Sequence, residues 1–278
     1  HKRAYAILSG LVGSEMCIRD SCKIKIIKNL LIRTFVAFYK PNLEEAMNKD
    51  INSYSSYNDF FTRKLAKESR IIELSQNSFI SPVDGEIVSH GFIEGGKLLQ
   101  AKTHNYELHE LVGIDYQNKY KGGYFITIYL APTDYHRIHC PWDGEIVHSN
   151  HLGSSLYSVN KRAQESIPRL YIKNERSVLH IVSNSLEYAL VSVGASVVGS
   201  IVPFWIDNKE SSRKELVEEW KIGPPKDTNV KKGDELAYFR MGSTVILIFK
   251  DSYKIDLDSL KENKLVKFGN KLVSLKNI

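Results

Sequence analysis

The chain has 278 residues, 42% of them hydrophobic and 25% charged, enough to bury one large core or two modest ones, which excludes disordered and fibrous classes. Its formal charge of +6 is small and dispersed, with no zinc finger, basic-aromatic RNA motif or basic heptad array, so no nucleic-acid partner is expected, while an anionic membrane surface suits the same excess. Cys17, Cys22 and Cys140 show no paired metal-ligand spacing and are odd in number, which argues against a zinc site and a disulfide framework and for a reducing compartment.

No apolar run of about 18 or more residues is present, so a transmembrane helix is not expected. Leu11-Val-Gly-Ser-Glu-Met-Cys-Ile-Arg-Asp-Ser21 resembles translated adapter sequence, and residues 1–21 are set aside as a non-native or disordered segment. The natural start is open.

Residues 23–40 carry five basic and no acidic side chains, with Ile24, Ile27, Leu31, Phe35 and Phe38 spaced by three and four. That spacing predicts a helix with one apolar stripe, ended by Pro41. Two readings stand side by side: a helix packed on the protein's own core, and a basic amphipathic helix lying among lipid headgroups. Residues 53–70 read as a second helical segment with Ser and Asn available as caps, so residues 22–70 form a helical, membrane-associating region.

Beyond it the period changes. Residues 91–96, 124–130, 178–182, 188–202 and 244–249 are β-branched or aromatic runs broken by Gly, Asn or Asp, as strands are. Residues 211–220 suggest a surface helix, and 221–232 a loop. The expected fold is α+β: N-terminal helices followed by a mostly β, barrel-sandwich-like body over residues 71–278.

Pro82-Val-Asp-Gly-Glu-Ile-Val88 recurs as Pro141-Trp-Asp-Gly-Glu-Ile-Val147, which reads as two similar turn-strand units, each with a Gly free to take positive φ. A weaker turn lies at Lys231-Lys-Gly-Asp-Glu235. Such turns also occur in lipoyl- and biotinyl-type carrier domains, although no lysine attachment tripeptide sits at one here.

Three places carry candidate chemistry: Asp84, the pair His136 and His139, and Ser243. Singly each is weak, and no carboxylate or cysteine completes a metal set around the histidines. Together they supply the nucleophile, base and orienting carboxylate of a serine-type site. A hydrolase acting on an external ester usually shows Gly-x-Ser-x-Gly at a strand-to-helix elbow. Ser243 instead follows Gly242 and opens a β run, so its hydroxyl lies beside the preceding carbonyl, and Gly242 leaves the backbone room to distort.

The segments Phe60-Phe-Thr-Arg-Lys-Leu65, Ser81-Pro-Val-Asp-Gly85, Leu99-Gln-Ala-Lys-Thr-His-Asn-Tyr106, Tyr129-Leu-Ala-Pro-Thr-Asp-Tyr-His-Arg-Ile-His139, Leu156-Tyr-Ser-Val-Asn160, Asn174-Glu-Arg176, Val193-Gly-Ala-Ser-Val-Val-Gly-Ser-Ile201 and Phe239-Arg-Met-Gly-Ser-Thr-Val245 follow in order. Over residues 35–250 this series resembles the phosphatidylserine decarboxylase family, with Met241 where many members have Leu, a volume-conserving exchange.

The resemblance implies a pro-enzyme that cuts itself between Gly242 and Ser243. Asp84, His139 and Ser243 form the processing triad, and Ser243 becomes a covalent pyruvoyl group, with no metal. That group decarboxylates phosphatidylserine to phosphatidylethanolamine through a Schiff base, with His136 free to serve turnover. The chain 243–278 stays docked on 1–242, and a homodimer is compatible with the resemblance. The implied location is peripheral, at the cytoplasmic face of a bacterial cell membrane, or an organellar membrane in a eukaryote. Two other readings are a carrier or binding module without catalysis and a hydrolase of external esters.

Overall fold

The computed structural model describes residues 24–101, 104–113, 116–183, 186–195, 201–206, 211–226, 228–240 and 242–276. The expectations for residues 1–21 and Met241, and part of the motif at 193–201, lie outside them.

The body is built on an eight-stranded antiparallel sheet. Its strands run Asn229–Val230, Gly144–Leu152, Arg176–Val182, Glu187–Gly194, Ser243–Phe249, Tyr124–Leu130, Gly85–Phe92 and Leu265–Val266 across the sheet. Smaller sheets pair Ile201–Pro203 with Glu235–Phe239 and Arg137–His139, Ser78–Ile80 with Lys271–Ser274, and Lys97–Ala101 with His104–Glu107. The architecture is α+β with a mostly β body, and the large sheet does not close into a barrel.

Ser243–Phe249 is buried at every position. Val245, Leu247 and Phe249 pack into one core with Ile128, Tyr188 and Leu190, while Ile246 and Ile248 enter a second core with Phe125, Ala189 and Val191. Cover on both faces explains why this strand reads as an unbroken apolar run rather than an alternation.

The N-terminal helix spans Lys25–Tyr39 and stops at Lys40, which turns left-handed (φ 51°) and gives its N–H to the Val36 carbonyl just before Pro41. Its buried residues are Lys28, Ile32 and Phe35, which corrects the stripe expected from spacing: Ile24, Ile27 and Phe38 are exposed. Ile32 and Phe35 pack with Tyr54, Phe60 and Phe61. The Lys28 ammonium is spent on the carbonyls of Asn52 and Tyr54, at 2.7 and 2.5 Å. The second helix is only Tyr57–Phe61, capped by Ser56, far shorter than the 53–70 expected. The surface helix runs Arg213–Ile222 behind a Ser212/Glu215 capping box. Among the described residues no helix is long and apolar enough to cross a membrane.

Both repeated turns open strands of the large sheet, but neither Gly85 nor Gly144 has positive φ. What each position requires is room. A Cβ at Gly85 would lie 2.4 Å from the Tyr129 carbonyl oxygen and 2.9 Å from Ile128 Cγ2, and one at Gly144 2.7 Å from both the Val182 oxygen and Ile181 Cγ2. Gly85→Ala and Gly144→Ala are each expected to lower stability by about 1–3 kcal/mol through overpacking, measured by urea unfolding. Gly91→Ala, whose nearest neighbour is the Phe125 ring at 3.6 Å, should cost less than either, and equal losses at all three sites would contradict the steric explanation.

Candidate active site

One end of the large sheet gathers the chemistry. Ser243 begins its strand opposite Leu130, where Tyr124–Leu130 ends, and opposite Gly194, where Glu187–Gly194 ends. Asp84 immediately precedes Gly85–Phe92, whose Glu86 faces Tyr129. The loop leaving Leu130 carries Asp134, Tyr135 and His136, and the His139 N–H bonds the Pro82 carbonyl at 2.9 Å, tying the histidine segment to the Asp84 turn. A cavity of about 300 Å³ opens beside this end, with Arg63, Arg70, Asp84 and Tyr135 in its wall. A larger one of about 420 Å³, between Glu145–Ser149 and Lys221–Lys226, lies at the opposite end and holds none of these residues.

The Ser243 hydroxyl is fully buried and has no hydrogen-bond partner. Before it, Gly242 sits at φ +40°, a region L-residues rarely enter, and a Cβ there would meet the Ala195 side chain at 3.3 Å. Conformation and space therefore both favour glycine.

Asp84 accepts the Phe268 backbone N–H at 2.8 Å on one oxygen and the Arg70 guanidinium at 2.7 Å on the other. Burial lifts its carboxyl above the usual range, opposed by Arg70 and the Phe268 N–H. Arg70 also bonds Glu45 at 2.8 Å.

The His139 ring lies on Phe268, with centroids 3.7 Å apart. Its Nδ1 is 2.8 Å from the Gly233 carbonyl and its Nε2 2.9 Å from the Tyr135 hydroxyl. A carbonyl can only accept, so Nδ1 carries the proton and Nε2 accepts from the phenol. This tautomer is held by the Gly233 carbonyl rather than by Asp84, whose oxygens accept from Phe268 and Arg70.

His136 is held the same way, its Nδ1 giving a proton to the Asp134 carbonyl at 2.8 Å, and its ring packs on Phe61 at 4.1 Å. Its Nε2 is buried without a partner. Asp134 closes the loop by accepting the Ala131 N–H at 2.7 Å, and burial pushes its carboxyl up to about 6.

The structure thus collects Asp84, His136, His139 and Ser243 at one end of the sheet without joining Asp84, His139 and Ser243 in a hydrogen-bonded chain. Sequence reading did not single out Arg63, Arg70, Tyr135, Gly233 or Phe268. Arg63 and Tyr135 lay inside quoted motifs, whereas Phe268 falls beyond the stretch the resemblance covered.

Burial lowers His136 to about 3 and His139 to about 4, since desolvation disfavours the imidazolium. A group with a depressed folded pKa stabilises the fold above its unfolded value, near 6.5 for histidine, and that stability is lost on acidification toward the folded value. Nitrogen NMR is expected to show both rings neutral and protonated on Nδ1 at pH 5, with each histidine adding about 1.4 kcal/mol of lost stability per pH unit between roughly 6 and 4. An imidazolium at pH 5 would contradict the assignment.

A family model described as phosphatidylserine decarboxylase matches residues 57–274. A phosphatidylserine decarboxylase proenzyme of Nitrosospira multiformis is 37% identical over 98% of this chain and 93% of its own length. Proteins of the same description from Dechloromonas aromatica, 34% identical over 99% of this chain and 95% of theirs, and from Legionella pneumophila, 38% identical over 84% and 82%, agree with it. With the matched region containing the Asp84 turn, both histidines and the Gly242-Ser243 step, this chain belongs to the phosphatidylserine decarboxylase family.

Proposed function

We infer that the chain is the pro-form of a phosphatidylserine decarboxylase that cuts itself between Gly242 and Ser243 and converts Ser243 into a pyruvoyl group. The observation carrying this reading is the Ser243 hydroxyl, buried and bonded to nothing, directly after a glycine at φ +40°. Thr127, Ser177 and Thr244 of the same sheet also keep buried hydroxyls without partners, but none of them follows a glycine at positive φ.

Attack of Ser243 Oγ on the Gly242 carbonyl forms an ester as the peptide C–N bond breaks and frees the amine of residue 243. Loss of the Cα proton then expels the Gly242 carboxylate from the Cβ of residue 243, leaving dehydroalanine. Water replaces its nitrogen, which departs as ammonia, and a ketone remains. That pyruvoyl carbonyl supplies the electron sink for loss of CO2. The residues present suit it, because the buried strand start, Phe61 and Phe268 keep bulk water from the site.

His136 and His139 are the imidazoles available to move protons. His139 must release the Tyr135 hydroxyl before its Nε2 can accept from Ser243, whereas His136 holds a free lone pair. The division in which His139 serves cutting and His136 serves turnover predicts that His136→Ala cuts but releases CO2 poorly, and that His139→Ala stays largely uncut. The reverse outcome would give the cutting step to the free lone pair of His136. Asp84→Asn should slow cutting, while Asp143→Asn, at the repeated turn, should not.

Membrane attachment is part of the same proposal: peripheral, on an anionic surface, at the cytoplasmic face of a bacterial membrane. It is supported by Ile26, Leu30 and Phe38 on the helix Lys25–Tyr39 and by Ile24 just before it, which stand exposed beside Lys25 and Arg33. Inserting one such side chain is worth about 1.5–3 kcal/mol. Leu30→Glu with Phe38→Glu spares the packed Ile32 and Phe35 and should abolish flotation with phosphatidylglycerol-containing vesicles; undiminished flotation would place the anchor elsewhere.

The central test is the mass of the denatured protein. Two chains are expected, one ending at Gly242 and one beginning at a ketone-blocked residue 243, and Ser243→Ala should give a single chain with no CO2 release. Full activity in that variant would overturn the assignment.

A further inference from the structure

Arg63 is 4% exposed, yet its Nε and Nη1 have no hydrogen-bond partner, and its one bond runs from Nη2 to the Thr133 carbonyl at 3.2 Å. It lines the cavity of about 300 Å³ together with Arg70 and Lys267. Those two cations are already matched: Arg70 by Glu45 and Asp84, Lys267 by Glu45 at 2.8 Å. Arg63 forms no ion pair among the described residues and rests against the Phe60 ring, 5.6 Å from its centroid. A guanidinium removed from water and left without an anion is costly, and its planar array of donors fits an oxyanion.

The substrate class assigned above brings two oxyanions, the serine carboxylate and the phosphodiester. The carboxylate must lose its charge as CO2 departs, so a guanidinium bound to it would stabilise the ground state more than the transition state and slow the step. The phosphodiester keeps its charge throughout. We propose that Arg63 is the substrate-binding residue that holds the phosphodiester of the lipid headgroup in the cavity between the N-terminal helical layer and the loop carrying His136. The position agrees with this role. Tyr39 and Lys40, at the end of the helix proposed to meet the membrane, line the same cavity, and Thr133, which anchors Arg63, lies in the loop leaving Leu130, the residue opposite Ser243.

This inference rests on the decarboxylase reading, and its test separates the two. The first arm uses the uncut Ser243→Ala chain, so it requires neither cutting nor turnover. Binding of glycerophosphoglycerol, a phosphodiester with no amine or carboxylate, and of free serine, which has no phosphate, is followed by calorimetry. The Ser243→Ala chain should bind glycerophosphoglycerol, and addition of Arg63→Gln should weaken that binding at least tenfold while leaving serine binding unchanged. Loss of serine binding alone would reassign Arg63 to the carboxylate, and equal binding with and without Arg63, or no phosphodiester binding at all, would overturn the proposal. The second arm uses the mature enzyme with a soluble short-chain phosphatidylserine. Arg63→Gln should raise KM about tenfold or more with a smaller effect on kcat, and Arg63→Lys should recover part of the loss. A fall in kcat at unchanged KM would count against a binding role.

Discussion

Everything at the reactive end follows from the place of one strand. Ser243–Phe249 is hydrogen-bonded along its whole length to Glu187–Gly194 on one side and Tyr124–Leu130 on the other, with a core against each face. Its first residue is therefore fixed between Leu130 and Gly194, while the residue before it stands outside the ladder at positive φ. A rigid strand thus meets a glycine in the left-handed region at the Gly242-Ser243 peptide, which turns the chain out of the ladder just before the serine.

Around that peptide the protein tolerates polar groups it does not satisfy. Ser243 Oγ, His136 Nε2 and two nitrogens of Arg63 are buried without partners, and each such group typically costs about 1–3 kcal/mol. The neighbouring groups are the reverse case, with both oxygens of Asp84, the Tyr135 hydroxyl and both Nδ1 positions engaged.

Much of this was legible in the chain. The apolar runs at 124–130, 178–182 and 244–249 became strands because both faces of the sheet are covered, and the surface helix expected at 211–220 formed at Arg213–Ile222. The helix Lys25–Tyr39 was legible as a helix but not in its orientation. Apolar side chains occur around most of its circumference, so spacing could not tell that Ile32 and Phe35 face Phe60 and Phe61, nor that Lys28 turns inward to two carbonyls. In the site, the residue types Asp84, His136, His139 and Ser243 were readable from local motifs. Their partners were not, because Arg70, Gly233 and Phe268 reach them from other parts of the chain, and only tertiary structure records which carbonyl or amide arrives first.

The segment after the strand has a consequence of its own. Past Phe249 the chain runs on to pair Leu265–Val266 with Gly85–Phe92 and Lys271–Ser274 with Ser78–Ile80, and it places the Phe268 N–H on Asp84. A scission before Ser243 thus leaves a separate polypeptide holding the middle of the sheet, one of its margins and a ligand of the carboxylate. Folding of the intact chain is unimolecular, but reassembly of the severed pair is a second-order encounter that dilution opposes. Maturation therefore turns a one-chain folding problem into a two-chain one, in which persistence depends on how slowly the pair first comes apart.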